Sequence, residues 1–121
     1  MSLHIELAAA IEKDFGERLA VPVEQKQDAL IATLENGLTL TIRYAAPDAY
    51  SLRWTYGDAE AGIDTAPLHR DLASFPNHLH DAGGQVHADP VTRPDRAPAD
   101  NVAQLIHALL DNPMLGIESE P

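Results

Sequence analysis

Apolar side chains fall at helical spacing near both ends of this chain and at alternate positions between them. Leu3, Leu7, Ala8, Ile11 and Phe15 recur at three- and four-residue steps, which predicts one apolar stripe on a helix over residues 2–15. Gly16 is placed to end it. Val102, Leu105, Ile106 and Leu109 repeat the spacing near the other end. Pro98 suits the first turn of that helix, and Asn112-Pro113 stops it.

The middle of the chain changes period. In ALIATLENGLTLTIRY, residues 29–44, two alternating runs flank Glu35-Asn36-Gly37, a three-residue hairpin loop with Gly37 at the left-handed position. That register sets Leu30, Ala32 and Leu34 opposite Ile42, Leu40 and Leu38, with Thr39, Thr41 and Arg43 on the other face. After a Pro47-Asp48 turn, AYSLRWTY alternates again over residues 49–56. Tyr50, Leu52, Trp54 and Tyr56 share its apolar face, and Trp54 and Tyr56 are expected in the core. Matching apolar faces in this hairpin sets Arg43 directly opposite Arg53. Such a pair needs a carboxylate between its members, an escape into water, or a bound anion.

Residues 20–26 predict an edge strand, marked by Pro22, and residues 60–66 a further strand. From Pro67 to Pro98 the alternation fails, with short extended pieces expected at 77–81 and 85–89. A polar connection of this length is more often functional than structural. The order predicts an α+β fold: an antiparallel sheet of about four to six strands with the N-terminal and C-terminal helices packed on one face. Residues 1–113 are expected to form one domain, with 114–121 as a C-terminal tail.

Charge and composition narrow the function classes. The net charge is -11, from 19 acidic and 8 basic side chains, and both halves are acidic. Its long-range field repels nucleic acid and favours a basic partner. With no cysteine, disulfides, thiolate nucleophiles and thiolate zinc sites are excluded. No apolar run is long enough to span a bilayer, so no membrane partner is expected. The first residues match neither a signal nor a transit peptide, and the expected location is cytoplasmic.

The candidate chemistry lies in FPNHLHDAGG, residues 75–84. On an extended backbone His78 and His80 project to one side, about 7 Å apart at the backbone. Three uses are open. They can ligate a metal, with a third ligand from His69, His87, Asp64 or Asp81. They can serve as proton acceptor and donor on a phosphodiester, with Arg43, Arg53 or Arg70 holding the phosphate. Or they are polar residues of a solvated strand, which is the reading the residues alone favour. His4 and His107 are expected to be inert.

A resemblance bears on that choice. In IDTAPLHRDLASFPNHLHD, residues 63–81, an Asp-x-Ala-Pro stretch, a following His and a Phe-Pro-x-His-x-His block resemble the TumE toxin family of bacterial toxin–antitoxin modules. The residues concerned are Asp64, Ala66, Pro67, His69, Phe75, Pro76, His78 and His80. Thr65 stands where that family has Asn, Leu68 and Asn77 where His is common, and Leu79 where Lys is common. The last change is expected to remove a phosphate-facing cation. The resemblance implies a small endoribonuclease that needs no metal or other cofactor, paired with a helix-turn-helix antitoxin. Its implied catalytic set is Asp64, His69, His78 and His80, with RNA as substrate; a homodimer is compatible with it. The alternatives from other classes are a non-enzymatic interaction module with an acidic surface and a small His-ligated metalloprotein.

Overall fold

The computed structural model describes residues 2–115. The elements run α1 (Leu3–Phe15), a short 3-10 turn (Gly16–Arg18), β1 (Glu24–Gln25), β2 (Leu30–Thr33), β3 (Thr39–Ala46), β4 (Ala49–Tyr56), β5 (Ala59–Asp64), β6 (His78–His80), β7 (Val86–Ala88) and α2 (Pro98–Asp111). The strands form one seven-stranded antiparallel sheet in sequence order. The class is α+β, as expected. The strand count exceeds four to six because β1, β6 and β7 are only two or three residues long.

Both helices cover one face of the sheet. Leu7, Ile11 and Phe15 of α1 and Val102, Leu105, Ile106 and Leu109 of α2 join Leu30, Leu40, Ile42, Leu52, Trp54, Ile63 and Leu79 in one buried cluster. Each fully buried Leu or Ile contributes about 1.5–3 kcal/mol. Ser2 Oγ caps α1 by accepting from Ile5 N at 3.2 Å. Gly16 does mark the helix end, but in right-handed conformation (φ -50°): the chain tightens into the 3-10 turn instead of reversing through a left-handed residue.

The β2–β3 hairpin has the expected register, with Leu30 opposite Ile42 and Ala32 opposite Leu40. Gly37 sits at φ +91°, and Asn36 Nδ2 donates to Leu109 O at 3.2 Å, tying the loop to the end of α2. The β3–β4 register differs from the expected one by two residues. Arg43 lies opposite Ser51 and Arg53 opposite Thr41. The turn is one residue tighter than expected, with Ala46 opposite Ala49, and a bulge between Tyr44 and Ala46 supplies the second residue of the difference. A two-residue shift keeps every side chain on its face and moves the two guanidiniums from direct to diagonal neighbours. The bulge also gives His4 a structural role, contrary to the inert one expected, since its Nε2 accepts from Tyr44 N at 3.0 Å. His107 is exposed, with its ring edge-on to Phe15. Trp54 is buried, but Tyr56 is 41% exposed because it ends β4 beside the Gly57-Asp58 turn.

Met114 and Leu115 pack against the core instead of beginning a loose tail. The remainder of the expected tail lies outside the described residues. Among the described residues, no helix is long and apolar enough to cross a membrane.

Candidate functional site

The antiparallel registers of β3 to β7 dictate what meets on the uncovered face. One row across the strands reads Arg43, Ser51, Asp64, His78, Ala88. The adjacent row reads Thr41, Arg53, Gly62, His80, Val86. Asp64 of the Asp-x-Ala-Pro stretch and His78 of the His-x-His pair, with 13 residues between them along the chain, therefore lie side by side.

Asp64 is the hinge of the cluster. Its Oδ1 lies 3.1 Å from His78 Nε2 and its Oδ2 3.6 Å from His80 Nε2. Oδ1 also accepts from Ala66 N at 3.0 Å, turning the chain into the loop that carries His69. The His69 ring stands edge-on to His78 with centroids 4.8 Å apart, and 6.4 Å from His80. The His78 and His80 rings are 4.7 Å apart.

The two strand histidines are not equivalent. His78 is 1% exposed, and both of its nitrogens are engaged: Nε2 faces Asp64, and Nδ1 lies 3.3 Å from Pro76 O. The His80 side chain is 37% exposed and borders an open cleft of about 300 Å³ that Arg53 and Glu60 also line. Partial burial, and then the neighbouring His78, hold His80 below the ordinary histidine pKa, against the opposing pull of Asp64. These surroundings favour the neutral imidazole of His80, which keeps a lone pair for a proton or a ligand.

Arg53 reaches this cleft because the position across from it is Gly62. A Cβ there would stand 3.2 Å from Arg53 Cγ and 3.2 Å from Leu52 O, so the arginine stem lies over bare backbone. The guanidinium pairs with Glu60, both side chains about half exposed. Such a surface pair is worth about 0–1 kcal/mol, weak enough for an anionic ligand to compete. Arg43 shares with Arg53 a second cleft of about 240 Å³, floored by Thr39, Thr41 and Thr55. Arg70 stands apart: it is exposed, and no hydrogen bond or ion pair joins it to the cluster among the described residues.

Two of the residues considered as third metal ligands lie elsewhere. Asp81 and His87 project with Leu79 to the helix side of the sheet, where His87 Nε2 lies 2.7 Å from Asp81 Oδ2. Asp81 Oδ1 also accepts from Gly83 N and Gln85 N, both at 2.9 Å, closing the β6–β7 turn. The bond to His87, followed by the backbone donors, holds the Asp81 carboxyl below the usual carboxylate range despite its burial. Asp64, His78 and His80 instead each offer a ligand atom within 4.8 Å of the others, the one such group among the described residues. Position 79 also departs from expectation. Leu79 is 1% exposed on the covered face, so a lysine there would not face a phosphate on the open side.

Sequence reasoning missed the support behind the site. Asn77 Nδ2 donates to Tyr50 Oη at 2.7 Å, Asp89 Oδ2 at 3.0 Å and Thr92 Oγ1 at 3.1 Å. Asp89 Oδ1 accepts from Val91 N and Thr92 N, a side-chain turn whose Asp-x-x-Thr spacing was the available signal. Ser74 Oγ donates to Asn77 O at 2.6 Å and accepts from Asp89 N at 2.8 Å. This network fixes the residue immediately before His78.

Comparison of the chain with protein-family models, with curated proteins and with solved structures finds no match.

Proposed function

We propose that this chain is a TumE-like toxin, an endoribonuclease that cleaves RNA by histidine acid–base chemistry without a metal. The observation that carries the reading is the gathering of His69, His78, His80 and Asp64 on the open sheet face, with Arg53 lining the cleft beside His80. These are the residues that the Asp-x-Ala-Pro, His and Phe-Pro-x-His-x-His pattern singles out.

The exposures divide the roles. His80, partly open to the cleft and biased toward its neutral form, takes the proton of the ribose 2′-hydroxyl. The 2′-oxygen attacks phosphorus, the bond to the 5′-oxygen breaks, and a 2′,3′-cyclic phosphate forms. His69, whose ring centroid lies 6.4 Å from that of His80, supplies the proton to the departing 5′-oxygen. Arg53 stabilises the charge gathering on the phosphate oxygens. His78, buried against Asp64, positions its neighbours and does not meet substrate. Arg43, one pleat further along the face, is suited to a neighbouring phosphate. The net charge of -11 confines RNA binding to this local patch and suits a basic helix-turn-helix antitoxin as partner.

The test is incubation of purified protein with total RNA, with and without a chelator. Cleavage in both, with products ending in 2′,3′-cyclic phosphate and lost in His80→Ala, is the expected result. Absence of cleavage in both at high protein concentration would overturn the reading.

A further inference from the structure

We infer that Asp64, His78 and His80 form a binding site for a borderline divalent transition metal of the zinc type, and that the metal, once bound, switches off the acid–base chemistry of the same residues. The second half of this inference rests on the ribonuclease reading; the first does not.

The geometry approaches a tetrahedral site on a fixed backbone, leaving only side-chain rotation to complete it. Two tetrahedral ligands at 2.0–2.1 Å from zinc stand about 3.4 Å from each other. The separations here are 3.1 Å between His78 Nε2 and Asp64 Oδ1 and 3.6 Å between His80 Nε2 and Asp64 Oδ2, on either side of that value. All three donor atoms lie within 4.8 Å of one another. The donors come from two paired strands, Asp64 directly opposite His78, so backbone hydrogen bonds hold their spacing. Two imidazoles and one carboxylate suit zinc-type ions, whereas magnesium and calcium ask for oxygen ligands throughout.

The hydrogen bonding of His78 points the same way. Its Nδ1 lies 3.3 Å from the Pro76 carbonyl, a hydrogen bond in the tautomer with hydrogen on Nδ1. In that tautomer Nε2 carries a lone pair and lies 3.1 Å from a carboxylate oxygen, in a side chain 1% exposed. A positive species held by both atoms satisfies them. A proton is one; a metal ion is the other, and a carbonyl holding the far nitrogen is the usual outer-shell arrangement of a ligating histidine. Leu79 and Ile63, opposite one another on the reverse face, close the site from beneath. The fourth position opens toward the cleft at His80, where water completes the coordination.

A metal held there occupies the His80 lone pair that the cleavage reaction requires. Zinc binding and RNA cleavage are thus mutually exclusive at this site, and a chelator raises activity instead of abolishing it.

The experiment titrates chelator-stripped protein with Zn²⁺ by calorimetry, and with Co²⁺ by visible absorption, which reports tetrahedral coordination. One ion per chain is expected, with affinity falling at least tenfold in His80→Ala and in Asp64→Asn and unchanged in His87→Ala. Asp64→Asn keeps an oxygen acceptor for Ala66 N and guards against loss of fold. Absence of binding, or binding equally strong in His80→Ala, would overturn the site. In a parallel arm, one equivalent of Zn²⁺ is expected to suppress RNA cleavage and excess chelator to restore it. Cleavage that requires added metal would overturn the inhibitory role. Stoichiometric, ligand-dependent Zn²⁺ binding in a protein that cleaves no RNA under any condition would leave the metal site standing and remove the ribonuclease reading.

Discussion

On the helix side of β6, Asp81 accepts hydrogen bonds from two backbone amides, with His87 as a third partner. On the open side, Asp64 stands between two imidazoles, close to both and saturated by neither. Both sets are carboxylate and histidine, and both belong to the same short strand system. The difference lies in what else reaches the oxygens. Around Asp81 the turn brings amides to the carboxylate, so the group closes a loop and has no capacity left over. Around Asp64 a single amide, Ala66 N, reaches Oδ1, and the strands bring two imidazoles alongside, so the group keeps capacity for a proton or a ligand. Residue identity does not separate a structural histidine from a reactive one; the balance of donors and acceptors does.

The largest expected effect breaks this contrast by exchanging activity for stability. His80→Ala is predicted to lower RNA cleavage at least about 100-fold, the usual size of a lost acid–base group, with the melting temperature little changed. His87→Ala is predicted to leave cleavage within about twofold and to cost about 1 kcal/mol of stability through the lost Asp81 bond. Cleavage assays and thermal melts on the two variants check both halves. Equal loss of activity in both would erase the distinction between the faces.

Next in size is the network that supports the site from behind. Asn77 is 1% exposed and donates to Tyr50, Asp89 and Thr92. Asn77→Ala leaves those acceptors buried without their donor and is predicted to destabilise the fold by about 1–3 kcal/mol, read from denaturant unfolding. Tyr50 of this network, with Tyr44 stacked on it, gives the helix side a distinctive alkaline response. Burial raises the pKa of Tyr44 and of Tyr50 above the ordinary tyrosine value, so the folded state resists their ionisation. Their contribution is fully present below pH 10 and is lost as pH rises through the raised values. Above pH 10 stability is expected to fall by up to about 1.4 kcal/mol per pH unit for each tyrosine. Tyr50→Phe, measured over the same range, is expected to flatten that slope.

Much of this arrangement was legible in the chain. Helical spacing located both helices, and the Glu35-Asn36-Gly37 loop fixed the β2–β3 register because a turn of defined length admits only one. Strand parity put His78 and His80 on one face, and the same parity, applied to Asp81, would have removed it from the list of metal ligands. The β3–β4 register was not legible, since a turn one residue tighter than expected and a bulge at Tyr44–Ala46 together shift it by two and leave the alternation unmarked. The pairing of Asp64 with His78 was out of reach for a different reason. It depends on how a 13-residue irregular segment returns to the sheet, and that path is set by Asn77, Ser74, Asp89 and Thr92, whose contacts are tertiary.

The smallest effect tests how the open face holds its arginine. Gly62 lies between Arg53 and His80 in the row across the sheet, and its missing Cβ is where the arginine stem rests. Gly62→Ala gains about 0.5–1 kcal/mol from the reduced freedom of the unfolded chain and the better strand propensity of alanine. Against this, the new methyl meets Arg53 Cγ and Leu52 O, each at 3.2 Å. The arginine can swing away, but the carbonyl belongs to the neighbouring strand and cannot, and overpacking of this kind costs about 1–3 kcal/mol. The predicted net is a destabilisation of about 1 kcal/mol. Displacing the Arg53 stem is expected to weaken phosphate contact and lower RNA cleavage by a few-fold, well short of the His80→Ala loss. Zn²⁺ affinity is expected to stay within about twofold, because Gly62 neighbours His80 only through the backbone. A Gly62→Ala protein that binds Zn²⁺ tenfold more weakly while cleaving RNA normally would reverse the assignment, making this glycine a support of the imidazoles instead of a rest for the guanidinium.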